Sequence, residues 1–155
     1  MPPSCQSTGN GKKTMRIMGI DYGDSRIGIA VSDPFGWTAQ GVETIHHKGN
    51  ISYALDRICE LVKELDVEKV VIGFPKNMNG TVGPRGEKTM DFIGKLTGRI
   101  DAEIIPWDER LTTVAANRAM HEMGTKTSRK KSIVDQIAAI YILQGYLDMM
   151  GKQYT

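Results

Sequence analysis

Residues 15–32 constrain the fold of this chain more than any other stretch. Two short apolar runs at residues 17–20 and 27–31 flank a polar turn at residues 23–25, a pattern that predicts a β-hairpin. The first run is apolar enough to be a central strand that is covered on both faces. Asp21 follows it directly, so we expect a rigidly held carboxylate at the tip of a buried strand, with its head facing out. The alternative is an Asx-turn in which Asp21 hydrogen-bonds its own backbone.

The length of 155 residues is sufficient for one compact domain. Residues 1–14 have no apolar core and are rich in Pro, Ser, Gly and Asn. We therefore expect a disordered tail rather than a signal peptide, followed by a single domain over residues 15–150. No apolar run approaches the roughly 20 residues of a membrane span. Cys5 and Cys59 lack the spacing of metal ligands, and two unpaired thiols favour a reducing, cytoplasmic setting.

The charge pattern allows nucleic-acid binding only through a local patch. The net charge is +2, and Lys12 and Lys13 account for it because the tail has no acidic residue. The remainder of the chain is balanced, whereas nucleic-acid-binding domains usually carry a global basic excess. One concentrated basic run consists of Lys126, Arg129, Lys130 and Lys131. We expect it in an exposed polar connection over residues 125–131, where it either contacts phosphates or remains a solvated loop.

Hydrophobic periodicity and capping residues predict the element order β-β-β-α-β-α-β-α-α. The strands after the hairpin are predicted at residues 37–46, 69–73 and 103–107. The helices are predicted to begin after Asn50, at Pro84, at Thr112 or Thr113, and at Ser132. A right-handed crossover sets the fourth strand parallel to the first and beside it, with the fifth strand also parallel. The carboxyl ends of these three strands then share one edge, where open α/β sheets place their sites.

Three acidic residues are expected near that edge. Asp21 ends the first strand, Glu109 follows the fifth, and Asp135 lies in an apolar stretch. Clustered carboxylates raise one another's pKa, and a divalent cation removes this cost. Ligands that are all oxygens favour Mg²⁺ or Mn²⁺ over Zn²⁺, and two such ions can promote phosphodiester hydrolysis. Alternatively, Asp135 could form a capping box with Ser132, and Glu109 could pair with Arg110 or a surface lysine.

Four segments in this order resemble the YqgF (RuvX) family. They are Ile-Asp-Tyr-Gly at 20–23, Gly-Phe-Pro-Lys-Asn-Met-Asn-Gly-Thr at 73–81, Asp-Glu-Arg-Leu-Thr-Thr at 108–113, and Asp-Gln-Ile-Ala-Ala at 135–139. The resemblance runs from about residue 15 to residue 148. It implies an α/β, ribonuclease H-like fold with a five-stranded mixed sheet flanked by helices. Members of this family are described as Holliday junction resolvases and as nucleases that mature the 5′ end of pre-16S ribosomal RNA. By this resemblance, Asp21, Glu109 and Asp135 are the catalytic acids that ligate Mg²⁺ or Mn²⁺.

Further residues are candidates for contact with the substrate. Lys76 and Asn77 lie in a loop at residues 74–83, whose Pro, Asn and Gly residues could otherwise serve only to make turns. Arg110 could clamp a phosphate through paired hydrogen bonds. The predicted substrate-binding set is Lys76, Asn77, Arg110, Lys126, Arg129, Lys130 and Lys131.

The histidines and tryptophans are interpreted as structural residues. No metal-ligand spacing is present among His46, His47 and His121, and we expect all three at the surface. Both Trp37 and Trp107 fall in predicted strands, where packing is favoured over base stacking.

The sequence therefore predicts a metal-dependent endonuclease that acts on nucleic acid, with pre-16S ribosomal RNA favoured over four-way DNA. An ATPase of the sugar-kinase or actin-like superfamily shares the core fold, and residues 21–28 resemble its phosphate hairpin. Such ATPases bind nucleotide between two similar domains, however, whereas 155 residues are sufficient for only one such domain. A non-catalytic nucleic-acid-binding module is opposed by three acids that would repel phosphate without a metal. Cleavage of a junction on two strands demands a dimer, so monomer and homodimer both stay open.

Overall fold

A five-stranded mixed sheet forms the centre of the computed structural model, which describes residues 16–75, 80–108 and 128–153. In the last range, side chains are described only at residues 136–150. The strands are β1 (Arg16–Tyr22), β2 (Arg26–Ser32), β3 (Ala39–His46), β4 (Val67–Phe74) and β5 (Glu103–Asp108). The helices of the described ranges are α1 (Ile51–Glu64), α2 (Pro84–Thr97) and α3 (Ser128–Gln153). None of them is long and apolar enough to cross a membrane.

The middle strand is β1, in the sheet order β3-β2-β1-β4-β5. It pairs antiparallel with β2 and parallel with β4, and β4 is parallel to β5. The predicted hairpin and the predicted place of the fourth strand are therefore confirmed. The carboxyl ends of β1, β4 and β5 share one edge of the sheet, which ends at Tyr22, Phe74 and Asp108 and is called the site edge below. The connection between β2 and β3, residues 33–38, lies at the opposite, far edge.

Helices cover both faces of the sheet. On one face α1 and α2 pack against the side chains of Met18 and Ile20, and on the other α3 packs against Ile17. Side chains alternate between the two faces of a strand. Asp21 therefore shares the α3 face with Ile17 and Gly19. The fold thus places the candidate carboxylate under the last helix rather than under α1 or α2.

The starts of α1 and α2 follow the sequence signals. The Asn50 side chain caps α1 by accepting a hydrogen bond from the Tyr53 N–H at 3.2 Å. The buried residues of α1 recur at spacings of one helical turn, namely Ala54, Leu55, Ile58, Leu61 and Val62. Pro84 begins α2, where its missing N–H costs nothing because the first helical amides have no intrahelical partner. Both predicted helix starts are confirmed.

The start of α3 differs from the prediction. The helix begins at Ser128, so Ser132 lies inside it and does not cap it. The predicted connection over residues 125–131 is therefore wrong from Ser128 onward, and the capping box proposed for Asp135 is wrong as well. Arginine and lysine are good helix formers, and a basic run extends a helix more readily than its polarity suggests. The helix predicted from Thr112 or Thr113 to Gly124 lies outside the described residues.

Gly19 allows the backbone of α3 to lie directly on β1. A Cβ atom at Gly19 would lie 2.7 Å from Leu143 Cβ and 2.8 Å from the Ala139 carbonyl oxygen. Atoms do not approach so closely without a shift of the helix. A residue without a side chain is needed where two backbones approach in this way. The depth at which α3 packs on the sheet therefore depends on Gly19.

We expect Gly19→Ala to lower the free energy of unfolding by about 1–3 kcal/mol, because the added methyl group forces α3 off the sheet. Gly94→Ala is the matched control, since a Cβ at Gly94 in α2 meets no atom within 4 Å. The control should leave stability unchanged or raise it by up to about 1 kcal/mol, since Ala is the better helix former. Urea denaturation of both variants measures the difference. Equal stability of the Gly19→Ala variant and the wild type would contradict the close approach of α3.

Candidate active site

Asp21 is a buried carboxylate near the end of the middle strand. It is the penultimate residue of β1, is 5% exposed, and pairs across the ladder with Gly28 of β2. The structure thus places Asp21 within the strand, on the face covered by α3, rather than at an exposed tip. Burial limits the side chain to few conformations. A carboxylate held in this way is fixed in position before any ligand binds.

The strand register brings the ends of three strands to the level of Asp21. Ile20 of β1 is paired with Ile72 of β4, and the next residue of β4, Gly73, is paired with Trp107 of β5. The final pair of β4 and β5 joins Phe74 to Asp108. Four predicted site residues follow these ends in the sequence but lie outside the described residues, namely Lys76, Asn77, Glu109 and Arg110, and Lys126 also lies outside them. Their roles stay predictions.

The helix α3 runs from the site edge to the far edge. About two turns after its start at Ser128, the Gln136 amide donates a long hydrogen bond of 3.4 Å to Thr44 Oγ1. Thr44 is paired with Gly28, the ladder partner of Asp21. Two turns later, Gln144 Oε1 accepts a hydrogen bond from the Ala39 N–H at 3.1 Å, at the far end of β3. The predicted site residues Arg129, Lys130, Lys131 and Asp135 belong to α3 by their backbone, and their side chains are not described.

His47 is buried, so its predicted surface position is wrong. Its side chain is 3% exposed. Nδ1 accepts a hydrogen bond from the Gly49 N–H at 3.0 Å, which leaves the proton on Nε2 to be donated to the Gly23 carbonyl oxygen at 2.9 Å. The ring also stacks on Tyr22, with centroids 6.3 Å apart. His47 therefore ties the turn that follows Asp21 to the connection between β3 and α1.

No sequence signal distinguishes His47 from the exposed His46 before it. The burial of His47 depends on Gly23 and Gly49, which come together only when the sheet has formed. The backbone strengthens the same junction, since the N–H groups of His47 and Lys48 both donate to the Ser25 carbonyl oxygen at 3.0 and 3.1 Å. His121 lies outside the described residues.

The two tryptophans have different environments. Trp107 is buried in β5 and packs edge-on against Tyr146 with ring centroids 5.9 Å apart, which confirms its predicted strand packing. Trp37 is 75% exposed and precedes β3, so the corresponding prediction is wrong. The reason is that Asp33 Oδ1 accepts hydrogen bonds from the N–H groups of Trp37 and Thr38. These bonds make residue 37 part of the turn and delay the strand until Ala39.

The fit of a metal ion depends on the chemistry of the predicted donors. Among the residues that the structure describes, no group of three or more His, Cys, Asp or Glu side chains could hold a metal ion. Of the predicted ligands, the side chain of Asp21 is described, whereas those of Glu109 and Asp135 are not. The three predicted ligands offer carboxylate oxygens alone, the donor set that suits Mg²⁺ or Mn²⁺.

Comparison with known proteins identifies the family. A family model described as "RuvX: Holliday junction resolvase" matches residues 15–149. The chain belongs to the RuvX family. This confirms the resemblance found in the four sequence segments, and the matched range spans the whole described sheet, α1, α2 and all but the last four residues of α3.

Two RuvX relatives are similar over nearly their full length. A protein of Acetivibrio thermocellus is 67% identical over 139 residues, which cover 89% of this chain and 99% of that protein. A protein of Ruminiclostridium cellulolyticum is 58% identical over 137 residues, which cover 88% of this chain and 96% of that protein. Both carry the name "Putative pre-16S rRNA nuclease".

Among solved structures, the fold is similar to that of RuvC. The chain matches "T. thermophilus RuvC in complex with Holliday junction substrate" with a TM-score of 0.53 and 16% identity, over 88% of this chain and 96% of that chain. A further Thermus thermophilus RuvC structure matches with a TM-score of 0.52 and 13% identity, over 88% and 97% of the two chains. The expected ribonuclease H-like architecture, a five-stranded mixed sheet flanked by helices, is thereby confirmed.

We expect His47→Phe to lower the free energy of unfolding by about 1–3 kcal/mol. The ring stack on Tyr22 survives this change, whereas the Gly23 carbonyl and the Gly49 N–H lose the hydrogen bonds that His47 supplies. His46→Gln is the neighbouring control on an exposed side chain and should stay within about 0.5 kcal/mol of the wild type. Urea denaturation gives both values. If the two variants are equally stable, His47 does not hold the turn.

Proposed function

We propose that this chain is a metal-dependent endonuclease that hydrolyses a phosphodiester bond of pre-16S ribosomal RNA and matures its 5′ end. The observation that carries the proposal is the position of Asp21, a buried carboxylate at the site edge on the face covered by α3. The names of the relatives at 67% and 58% identity supply the substrate. The RuvX family model supplies the reaction class, because a resolvase also cleaves phosphodiesters.

The register of α3 on β1 supports Asp135 as a partner of Asp21. Gly19 contacts α3 between Ala139 and Leu143. Two residues advance about 6.6 Å along a strand, and about four residues advance the same distance along a helix. Asp21 therefore corresponds to a level one turn earlier in α3, between positions 135 and 139. Positions four apart occupy the same side of a helix, so position 135 shares the side of α3 that contacts the sheet at Ala139.

Glu109 completes the proposed set because it directly follows Asp108, the last residue of β5. The fifth strand lies two positions from β1 in the sheet, about 10 Å away at the usual spacing of strands. In this proposal Asp21, Glu109 and Asp135 hold Mg²⁺ or Mn²⁺, which supplies an activated water and neutralises charge on the leaving oxygen.

The proposed substrate contacts surround the site edge. Lys76 and Asn77 follow β4, and Arg110 follows Glu109. The first turn of α3 has no acidic residue and contains Arg129, Lys130 and Lys131. An N-terminal helix end attracts anions through its free N–H groups, and the three cations add to that attraction. With Lys126, these residues are proposed to hold the phosphates on either side of the cleaved bond.

Cleavage of four-way DNA is the second candidate function, and the description of the matching family model favours it. The two candidates share their chemistry, because both substrates present phosphodiesters. They differ in assembly, since paired cuts in a junction require two active sites and a homodimer. The two remaining alternatives, an ATPase and a non-catalytic module, are tested by thermal shift with ATP and with Mn²⁺.

We expect the purified chain to cleave pre-16S RNA with Mg²⁺ or Mn²⁺ and to lose this activity in EDTA or with Zn²⁺ alone. Asp21→Asn should reduce cleavage to the level seen in EDTA while the melting temperature stays equal or rises slightly, because one charge leaves an acidic cluster. The matched control is Asp24→Asn, three residues away and exposed in its ion pair with Lys88. It should cleave at the wild-type rate.

Each outcome of this experiment has a defined meaning. Undiminished turnover in EDTA would exclude the metal-dependent mechanism. Wild-type turnover by Asp21→Asn would exclude the proposed role of Asp21. Cleavage of a four-way DNA junction without cleavage of the RNA would replace the first candidate with the second.

A further inference from the structure

The far edge of the sheet presents two large aromatic side chains to solvent. Phe35 is 77% and Trp37 is 75% exposed. They belong to residues 33–38 between β2 and β3, called the aromatic turn below. Asp21 pairs near the opposite end of β2, so the length of a seven-residue strand, about 20 Å, separates this turn from the site edge. The aromatic turn is therefore not part of the candidate active site.

The aromatic turn is rigidly held. Asp33 Oδ1 accepts hydrogen bonds from Trp37 N at 2.6 Å and Thr38 N at 3.1 Å, and Asp33 N donates to the Thr38 carbonyl oxygen at 3.0 Å. Gly36 has a φ of 75°, a conformation that favours glycine, and its N–H donates to the Asp33 carbonyl oxygen at 2.9 Å. The Gln144 amide of α3 reaches the Trp37 carbonyl oxygen at 3.4 Å. A turn that is ordered in advance loses little entropy when it binds a partner.

Two carboxylates are connected to the aromatic turn by hydrogen bonds. The hydrogen bond from the Thr38 N–H, and then that from the Trp37 N–H, hold the pKa of Asp33 below its usual value, so Asp33 is ionised at neutral pH. Asp148 is exposed on α3 and accepts a hydrogen bond from the same Gln144 amide at 3.0 Å. Sites that stack bases of single-stranded RNA combine aromatic rings with cations. Here the hydrogen-bonded neighbours are acids, which repel phosphates.

We propose that the aromatic turn anchors the chain to a protein, by inserting Phe35 and Trp37 into an apolar pocket that is bordered by lysine or arginine. The structure favours one class of partner, a basic protein that is already bound to the RNA substrate. Proteins that coat RNA are basic because they neutralise its phosphates. An anionic, aromatic turn is attracted to such a protein and repelled by bare RNA. This inference rests on the proposed function, since it makes the substrate a ribonucleoprotein.

The size of the aromatic turn suits an anchor within a larger contact. Phe and Trp side chains each bury about 150–250 Å² when covered, and such residues dominate the energetics of many interfaces. Ordinary exposed apolar residues are usually flexible or isolated. In contrast, these two are separated by one residue and held by the Asp33 hydrogen bonds. The site edge stays accessible to RNA while the far edge is occupied.

The test compares two forms of one substrate, naked pre-16S RNA and the same RNA assembled with small-subunit ribosomal proteins. The test variant is Phe35→Ser/Trp37→Ser, and the control is Met90→Ser, a 55% exposed residue of α2. We expect the double variant to raise KM for the particle by at least about tenfold, as for the loss of an aromatic anchor, with kcat unchanged. On naked RNA, both constants should equal those of the wild type. The control should match the wild type on both substrates.

A second variant tests the charge. Asp148→Asn keeps an acceptor for the Gln144 amide but removes the negative charge. Its binding to the particle should be weaker than wild-type binding at low salt and equal to it at high salt, because salt screens exposed charges. Identical binding at low salt would contradict the proposed basic border.

The remaining outcomes separate this inference from the proposed function. An equal loss on naked RNA would mean that the rings contact bases, and no loss on either substrate would mean that they bind nothing. Either result overturns the inference. It is also overturned if sedimentation of the free chain shows a dimer in which a second copy of the chain covers the aromatic turn. Cosedimentation of the Asp21→Asn variant with the particle measures docking in the absence of cleavage. If docking depends on Trp37 but the wild type does not cleave the RNA, the inference is retained and the proposed function is overturned.

Discussion

The contact between α3 and Gly19 is the constraint on which the geometry of the site depends. The Ala139 carbonyl and Leu143 Cβ occupy the space that a side chain at position 19 would need. This contact sets both the depth and the register of the helix. A slip of one residue along α3 would rotate each of its side chains by about 100° around the helix axis. The alignment of position 135 with Asp21 that we propose therefore depends on a glycine two residues away in β1.

The opposite face of β1 fixes the same segment by different means. Tyr22, next to Asp21, stacks on Phe92 of α2 with ring centroids 4.6 Å apart and also stacks on His47. His47 in turn holds the Gly23 carbonyl. Asp21 thus lies between Gly19, which is fixed by the packing of α3, and the turn at Gly23, which is fixed by a buried imidazole. Its position is set by contacts on both faces of the sheet rather than by the strand alone.

Sequence reasoning succeeded where the signal is local and failed where tertiary contacts decide. The hairpin, the Asn50 cap and the Pro84 start depend on neighbouring residues, and all three were predictable. The start of α3 was not predictable. Serine is a common capping residue, but whether Ser132 caps a helix depends on its backbone angles. The burial of His47 was not predictable either, since Gly23 and Tyr22, which its ring contacts, are distant in sequence. In the site, strand ends located Asp21 and Glu109, and Asp135 was singled out as an acid in an apolar stretch. The family resemblance added the catalytic roles of all three, and those roles stay predictions.

Both edges of the sheet carry acids, although the chain is nearly neutral overall, and the start of α3 adds cations. Asp21 and Asp108 lie at the site edge, and the first turn of α3 contains Arg129, Lys130 and Lys131 with no acid among them. At the far edge, the acids that are hydrogen-bonded to the aromatic turn or to Gln144 are Asp33 and Asp148. A chain with uniformly distributed positive charge would bind RNA in many orientations, most of them unproductive. When a metal ion neutralises the acids of the site, as the proposed function requires, the cations of α3 favour the orientation in which the site edge faces the phosphates. The small net charge of +2 is then compatible with a nucleic-acid substrate, because orientation rather than overall attraction selects the productive complex.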